Sequence, residues 1–325
     1  MKKIAITMGD PAGIGPEITL KALVMMNDSS EFQYIIYGDK RVYEELNDRY
    51  KYFNSLDVLN FNSLDIIKES IQYGTIKAEY GKVAGDYIKL AIEDAIAKKV
   101  DAVVTCPIHK KSFQLGGYGE KYVGHTEMFA DLTGAKNYSM MLAHGNLRVF
   151  HVTTHVPLIK AIGLINKDLV LEKIRLAYET CVRLKIKDIR IGVAGLNPHA
   201  GDEGVMGTED DDKILPAVNQ ANKELNCTVE GPIPSDTIFA KALGGMYDAL
   251  VVMYHDQGHI PIKTLGFKYD EASKSWSDMR GVNVTLGLPV IRSSVDHGTA
   301  FGKAGKNQAS PDSLIDAIKY ADLLI

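Results

Sequence analysis

Three strand-like runs of this sequence finish in a histidine: Leu147 to His155, Ile189 to His199 through the turn Gly195-Leu196-Asn197-Pro198, and Ala249 to His255. Ligands of α/β proteins bind in the crevice beyond the carboxyl ends of parallel strands. Imidazole is also the commonest nitrogen ligand of divalent metals, and three of them leave coordination positions open for water or substrate. Together the trio reads as one catalytic metal site, whereas any one alone reads as a loop or core histidine bonded to backbone. Asp256, directly after His255, suits an acceptor that holds a ligating imidazole from behind, or a fourth ligand.

Other residues offer donors to an anion. Gly124-His125-Thr126-Glu127 opens a helix-like run, and a helix N-terminus with small polar side chains seats phosphate or carboxylate. Lys263, Asn283 and Arg292 follow or lie in strand-like runs, and an arginine there pairs bidentately with such groups; the plain alternative for each is a surface charge or salt bridge. Two glycine-rich stretches, Gly9 to Glu17 and Asp296-His297-Gly298-Thr299-Ala300, let backbone approach a ligand but read equally well as tight turns. Gly9, Gly13 and Gly15 do not fit G-x-G-x-x-G, and Gly302-Lys303 lacks the spacing and the Ser or Thr of a Walker A motif, so a conventional nucleotide fold is disfavoured.

The elements that must hold these residues alternate in type. Strand-like runs at Lys3–Thr7, Tyr34–Tyr37, Ala102–Thr105, Leu147–Thr154, Ile189–Val193, Ala249–Tyr254 and Val282–Thr285 are interleaved with helical patterns at Pro16–Met26, Ala84–Ala97, Lys167–Leu184, Asp211–Leu225 and Pro311–Leu324. Such alternation predicts an α/β fold of parallel sheets covered by helices. Pro16 and Pro311 sit at first helical positions, the latter behind a Ser310 cap, and the acidic run Glu209 to Asp212 reads as a helix N-terminus. Phe267 to Arg280 is the least patterned stretch and reads as an inserted surface loop or short hairpin. The 325 residues suggest two domains, and without a Pro- or Ser-rich linker these should be lobes that share strands or cross twice.

Composition narrows the class further. With 41 acids against 37 Lys plus Arg there is no basic excess of the kind nucleic-acid binding needs. Cys106, Cys181 and Cys227 are too few for a disulfide framework or a Cys-rich zinc site, which favours a reducing compartment. No apolar run approaches the ~20 residues of a membrane span, and Lys2-Lys3 is not followed by a signal-peptide core. The expectation is a cytoplasmic protein with neither a nucleic-acid nor a membrane partner.

Taken together, the motifs resemble the 4-hydroxythreonine-4-phosphate dehydrogenase family: MGDPAGIGPE from Met8, GHTEMFADLTG from Gly124, TTHVPL from Thr153, NPHAGDEG from Asn197, GTED from Gly207, GPIPSDT from Gly231, YHDQG from Tyr254 and GVNVTLGLPVIRSSVDHGTA from Gly281. The resemblance implies two α/β/α lobes of isocitrate/isopropylmalate dehydrogenase type with the active site in the cleft between them. The corresponding division is 1–128 plus 283–325 as the cofactor-side lobe and 129–282 as the metal-binding and dimerisation lobe. It further implies a divalent cation, zinc or magnesium, on His155, His199 and His255, and substrate binding by His125, Thr126, Lys263, Asn283 and Arg292. NAD, or NADP, would lie near Asp296, His297, Gly298, Thr299 and Ala300. Lys263 and Asp256 are the candidate catalytic residues, and a homodimer sharing its active sites is expected.

The implied activity is oxidation and decarboxylation of a four-carbon 3-hydroxy acid 4-phosphate. Two departures bear on it. Where the family pattern is Phe-Asp-Ile-Ala-Gly-Lys-Gly, this chain has Phe301-Gly302-Lys303-Ala304-Gly305-Lys306-Asn307, which leaves the choice between NAD and NADP open. Gly258-His259-Ile260-Pro261 and the segment from Phe267 resemble a sister branch acting on D-threonate or D-erythronate 4-phosphate, and the reading leans to that branch. The alternatives are a phosphotransacylase on a related fold and a non-catalytic ligand-binding relative.

Overall fold

The structure is a computed structural model that describes residues 1–26, 32–271 and 274–325. Its chain divides into two compact units, the first made of Met1–Tyr138 with Asp278–Leu323 and the second of Ser139–Ser277. The first unit opens with β1 (Lys2–Thr7), α1 (Gly15–Met25), β2 (Phe32–Tyr37), α2 (Lys40–Tyr50), β3 (Asn60–Asn62), α3 (Ala78–Ile96), β4 (Ala102–Thr105), α4 (Lys110–Leu115) and α5 (His125–Thr133). The second contains β5 (Ser139–His144), β6 (Leu147–His151), α6 (Leu158–Leu164), α7 (Lys167–Arg183), β7 (Arg190–Ala194), α8 (Leu215–Glu224), β8 (Thr228–Ile233), α9 (Ser235–Leu243), β9 (Ala249–Val252) and α10 (His255–Gly266). After the two-stranded β10 (Phe267–Asp270) and β11 (Ser275–Met279), the chain returns to the first unit as β12 (Val282–Leu286), β13 (Ile291–Val295) and α11 (Asp312–Leu324).

In the first unit the strand order is β3-β2-β1-β4-β13-β12, parallel except for the antiparallel pair β12–β13. The strands read as short continuous apolar runs because both sheet faces are covered. Ile4 and Ile6 of β1 lie on one face and Val103 of β4, in register with Ala5, on the other; all three are fully buried, and α3, with Tyr87, Ile88, Ala91 and Ile92 buried, packs against β1 and β4. Each such aliphatic side chain contributes roughly 1.5–3 kcal/mol on burial. The order reverses between β1 and β4, so the carboxyl ends of those two strands flank a switch point of the kind at which open sheets bind ligands.

The second unit runs β5-β6-β9-β7-β8, with β6, β9, β7 and β8 parallel. Leu250 and Val252 of β9, Val149 of β6, and Ile238 and Ile262 from the covering helices form its core.

Several expected boundaries move. The Leu147 strand ends at His151 and the Ala249 strand at Val252, so the runs do not extend to His155 and His255; His255 instead begins α10. Glu209–Asp212 does not open an α-helix, because Asp210–Ile214 forms a π-helical turn before α8. Pro311 is the N-cap residue of α11, one position earlier than expected, and the Ser310 hydroxyl accepts the Asp312 N–H at 3.2 Å. Phe267 to Arg280 does contain two short strands, and residues 272 and 273 within it lie outside the described residues.

Candidate active site

In the first unit the site is built around Arg292 on β13. Antiparallel pairing sets Arg292 opposite Thr285 of β12, and parallel pairing puts β4 on its other side. The guanidinium donates from Nη1 to Thr285 Oγ1 at 2.7 Å and to Thr126 Oγ1 at 3.4 Å, and from Nη2 to Thr105 Oγ1 at 2.9 Å. Its carbon lies 5.6 Å from the Phe129 ring centroid. Only 3% of Arg292 is exposed, Nε has no hydrogen-bond partner, and among the described residues no carboxylate lies within ion-pair distance. Burial lowers its pKa to about 10, opposed by the Glu127 charge. A buried cation surrounded by neutral hydroxyls is costly unless an anion completes it.

Two expected neighbours stand beside it. Thr126 is in the first turn of α5, which Gly124 leaves without a side-chain cap, so its leading N–H groups remain available to an anion. His125 is half-buried, with Nε2 inaccessible and unbonded. Burial, and then the Arg292 charge, hold its pKa well below the usual imidazole value, so at neutral pH it is the uncharged imidazole. Asn283 is half-buried on β12, where its carbonyl oxygen accepts the Ser294 hydroxyl.

The loop Asp296–Ala300 leaves the carboxyl end of β13 and rests on the turn after β1. Ile14 N–H donates to the Thr299 carbonyl at 3.0 Å, and a Cβ at Gly13 would meet Thr299 Cβ at 3.0 Å. Gly9, at φ +72° and with a would-be Cβ 2.4 Å from the Pro107 carbonyl, permits the tight course of that turn. Glu17 is buried; it accepts the N–H groups of Asn307 and Ala309 and pairs with Lys21 at 2.9 Å. Gly9 to Glu17 is thus a packing turn that supports the Asp296–Ala300 loop. Gly298 faces open space, His297 Nδ1 sits 3.0 Å from the Gly298 carbonyl, and Ala300 has a left-handed φ of +43°.

In the second unit β6, β9 and β7 are adjacent, and His155, His255 and His199 follow their carboxyl ends. The β6 and β9 extensions are tied by Val152 N–H to Val252 O and by the Thr153 N–H and hydroxyl to Met253 O, at 2.8, 3.2 and 2.8 Å. Those bonds bring the His155 and His255 rings together, with centroids 5.7 Å apart. Both line a cavity of about 340 Å³ with Thr154, Tyr254 and Asp256. His255 Nδ1 is 2.6 Å from Asp256 Oδ1, which leaves Nε2 open to a ligand. Asp256 is therefore placed behind the imidazole.

His199 lies in a turn where His199, Ala200, Asp202 and Glu203 all take positive φ, a run that costs free energy and must be held from outside. Asp210, fully buried, accepts Leu196 N–H at 2.7 Å and Asn197 N–H at 3.0 Å. Gln257 Nε2 donates to Gly195 O at 2.7 Å while its Oε1 accepts Met253 N–H, so one amide joins the β7 and β9 extensions. The structure does not gather His199 with the other two: among the described residues no group of three His, Cys, Asp or Glu is arranged to hold a metal within one chain. The His155–His255 pair, with a carboxylate behind one ring and open volume before both, fits part of the donor set a divalent cation needs. Lys263 is half-buried in the last turn of α10, its ammonium 4.5 Å from the Phe267 ring centroid.

Gln257, Asp210, Thr105 and Thr285 were not among the residues the sequence singled out. Gln257 and Thr285 lie inside quoted motifs, and Asp210 falls in the acidic run assigned to a helix dipole. Thr105 has no sequence signal, since only the β4–β13 pairing reveals it.

Among the described residues no helix is long and apolar enough to cross a membrane. Comparison with known proteins agrees along the whole chain. A D-threonate 4-phosphate dehydrogenase of Cupriavidus necator is 41% identical over 330 residues, covering 97% of this chain and 95% of that protein. Among solved structures, a 4-hydroxythreonine-4-phosphate dehydrogenase of Burkholderia phymatum superposes with a TM-score of 0.80 at 39% identity, covering 99% and 98% of the two chains. The enzyme of the same description from Klebsiella pneumoniae gives 0.83 at 34% identity, covering 100% and 99%. The family described as pyridoxal phosphate biosynthetic protein PdxA matches residues 19–321, and the chain belongs to that family.

Proposed function

We propose that this protein is a nicotinamide-dependent dehydrogenase that oxidises the C3 hydroxyl of a four-carbon hydroxy acid 4-phosphate and releases C1 as carbon dioxide. The observation that carries the reading is Arg292, a buried cation whose described neighbours are hydroxyls and a helix N-terminus. D-threonate or D-erythronate 4-phosphate is favoured over 4-hydroxy-L-threonine 4-phosphate. The name of the Cupriavidus necator relative and the Gly258–Pro261 segment support that preference.

In this reading Arg292, Thr126 and the first turn of α5 hold the phosphate, and neutral His125 donates or accepts a hydrogen bond beside it. Remote binding of this kind fixes the reacting carbon in place before chemistry begins. Loss of hydride from C3 and of the hydroxyl proton gives a β-keto acid; cleavage of C1–C2 then leaves its electron pair on C2, which takes up a proton. Lys263 would hold the departing carboxylate or deliver that proton. With the hydroxyl substrates the product is dihydroxyacetone phosphate.

His155, His255 and His199 are the residues that would hold a divalent cation, zinc or magnesium, with imidazoles drawn from two copies of the chain. The incomplete donor set of a single chain and the exposed apolar side chains of α6, Ile159 at 81% among them, support a homodimer. When bound, the cation supplies Lewis acidity to the substrate oxygen and the nicotinamide, NAD or NADP, accepts the hydride. The Asp296–Ala300 loop is the proposed cofactor contact.

The test is reduced-nicotinamide absorbance at 340 nm with each of the three substrates, each cofactor and a divalent ion, together with mass spectrometry of the product. Turnover of D-threonate or D-erythronate phosphate to dihydroxyacetone phosphate is expected. No turnover of any of them by metal-replete protein refutes the proposal.

A further inference from the structure

Helix α10 aligns more imidazole chemistry than the expected ligand His255. His255, His259 and Lys263 recur at four-residue spacing and therefore share one helix face. The His259 ring lies flat on the His255 ring, with centroids 3.6 Å apart and planes 12° from parallel. Its Nδ1 is 2.9 Å from the His255 carbonyl oxygen, so Nδ1 is the donor and the ring is anchored to its own helix. The His259 ring also meets His151, the last residue of β6, with centroids 4.7 Å apart and only 1% of that residue exposed. Gly258 makes this approach possible, because a Cβ there would lie 2.3 Å from His151 Nε2.

An imidazole turns freely about its terminal torsion unless something restrains it. The Asp256 carboxylate that meets His255 Nδ1 is 70% exposed, and water competes with such a contact. The restraint that water cannot replace is the parallel ring. We propose that His259 is a positioning residue: stacked on His255 and packed against His151, it fixes the plane of the His255 imidazole and so keeps Nε2 directed as a ligand. The consequence for metal affinity rests on the metal reading of the proposed function, whereas the fixing of the ring does not.

The experiment therefore has a metal-free arm and a metal arm, on the full chain, with His259→Ala and His259→Phe. In the metal-free arm, NMR of protein carrying ¹³C-labelled histidine follows the His255 ring. The Ala variant should lose the ring-current shift that a stacked neighbour imposes, and the Phe variant, which keeps a flat ring without the Nδ1 donor, should retain it. In the metal arm, titration with cobalt(II) alone should show about 10- to 100-fold weaker binding for Ala, the usual effect of removing a group that orients a ligand. Phe should restore affinity to within about threefold of wild type, with both variants unfolding cooperatively. An unchanged His255 resonance in His259→Ala overturns the proposal, as does equal loss of shift and affinity in Ala and Phe. If the resonance moves as expected but wild-type protein binds no cobalt, the ring restraint stands and the metal reading falls.

Discussion

Replacing Arg292 with Met should cost anion binding more than it costs stability. Burial lowers the guanidinium pKa well below its usual value, to about 10, and at ~1.36 kcal/mol per pH unit this corresponds to about 3 kcal/mol. The sign is that of a base with a lowered pKa: the cost is present at every pH below about 10 and fades as pH rises above it. At neutral pH a methionine removes it in full. Against that stand two charge-assisted threonine hydrogen bonds, each worth about 1.5–3 kcal/mol, and a cation–π contact with Phe129 worth about 1 kcal/mol. The relieved burial cost offsets much of that loss, so the variant should be destabilised by only about 1–4 kcal/mol. Anion binding should not survive, because two charge-assisted bonds to phosphate are worth roughly 3–6 kcal/mol, or about 10²- to 10⁴-fold in kcat/KM. Denaturant unfolding with and without inorganic phosphate, read beside the nicotinamide assay, measures both quantities. A variant that loses more than about 4 kcal/mol while phosphate protects it as well as wild type would refute the reasoning, since Arg292 would then be a structural cation.

Three further outcomes follow from the second unit. Burial lowers the His151 pKa to about 3, with His259 and His255 adding to the effect, so the unfolded chain binds a proton below pH 6.5 that the folded one refuses. Stability should fall as pH drops from 6.5 toward 3, by about 2 kcal/mol at pH 5, and urea melts of His151→Leu should show a correspondingly shallower loss. Gly258→Ala would gain about 1 kcal/mol from helix propensity were the space free, yet the contact with His151 should make it destabilising by roughly 1–3 kcal/mol. Adding His151→Ala should recover most of that loss, and simple additivity of the two would disprove the clash. Asp210→Asn keeps the shape but removes the charge that accepts Leu196 and Asn197 N–H; it should cost about 1–3 kcal/mol and weaken cobalt binding, which thermal melts and titration will read.

The fold class was legible because β1, β4 and β9 are short apolar runs between helical periods, a pattern that parallel sheets impose directly. Helix α10 was not, because Gly258 and Pro261 interrupt its propensity and packing overrides them. His259 was read only as part of the Gly258–Pro261 resemblance, because its spacing from His255 and Lys263 means something only once the segment is known to be helical. The histidines do follow strand ends, but the extents of the Leu147 and Ala249 strands were overestimated, and contacts such as Thr153 with Met253 actually align His155 and His255. Arg292 could be named from sequence as an anion donor. That its surroundings are threonine hydroxyls depends on register between strands far apart in the chain, which no local pattern encodes.

The return of the chain to its first unit also has a consequence for synthesis. Strand β4 pairs with β1 on one side and with β13 on the other, and β13 is made nearly two hundred residues later. Until Ile291–Val295 leaves the ribosome, one edge of β4 carries open backbone donors and acceptors beside the apolar side chains of Val103 and Val104, a template for pairing with another nascent chain. The second unit, continuous in sequence, can close while that edge waits. Chains released before β13 should therefore be aggregation-prone whatever the state of their completed second unit, and the last forty residues act as the seal on an edge laid down at the start.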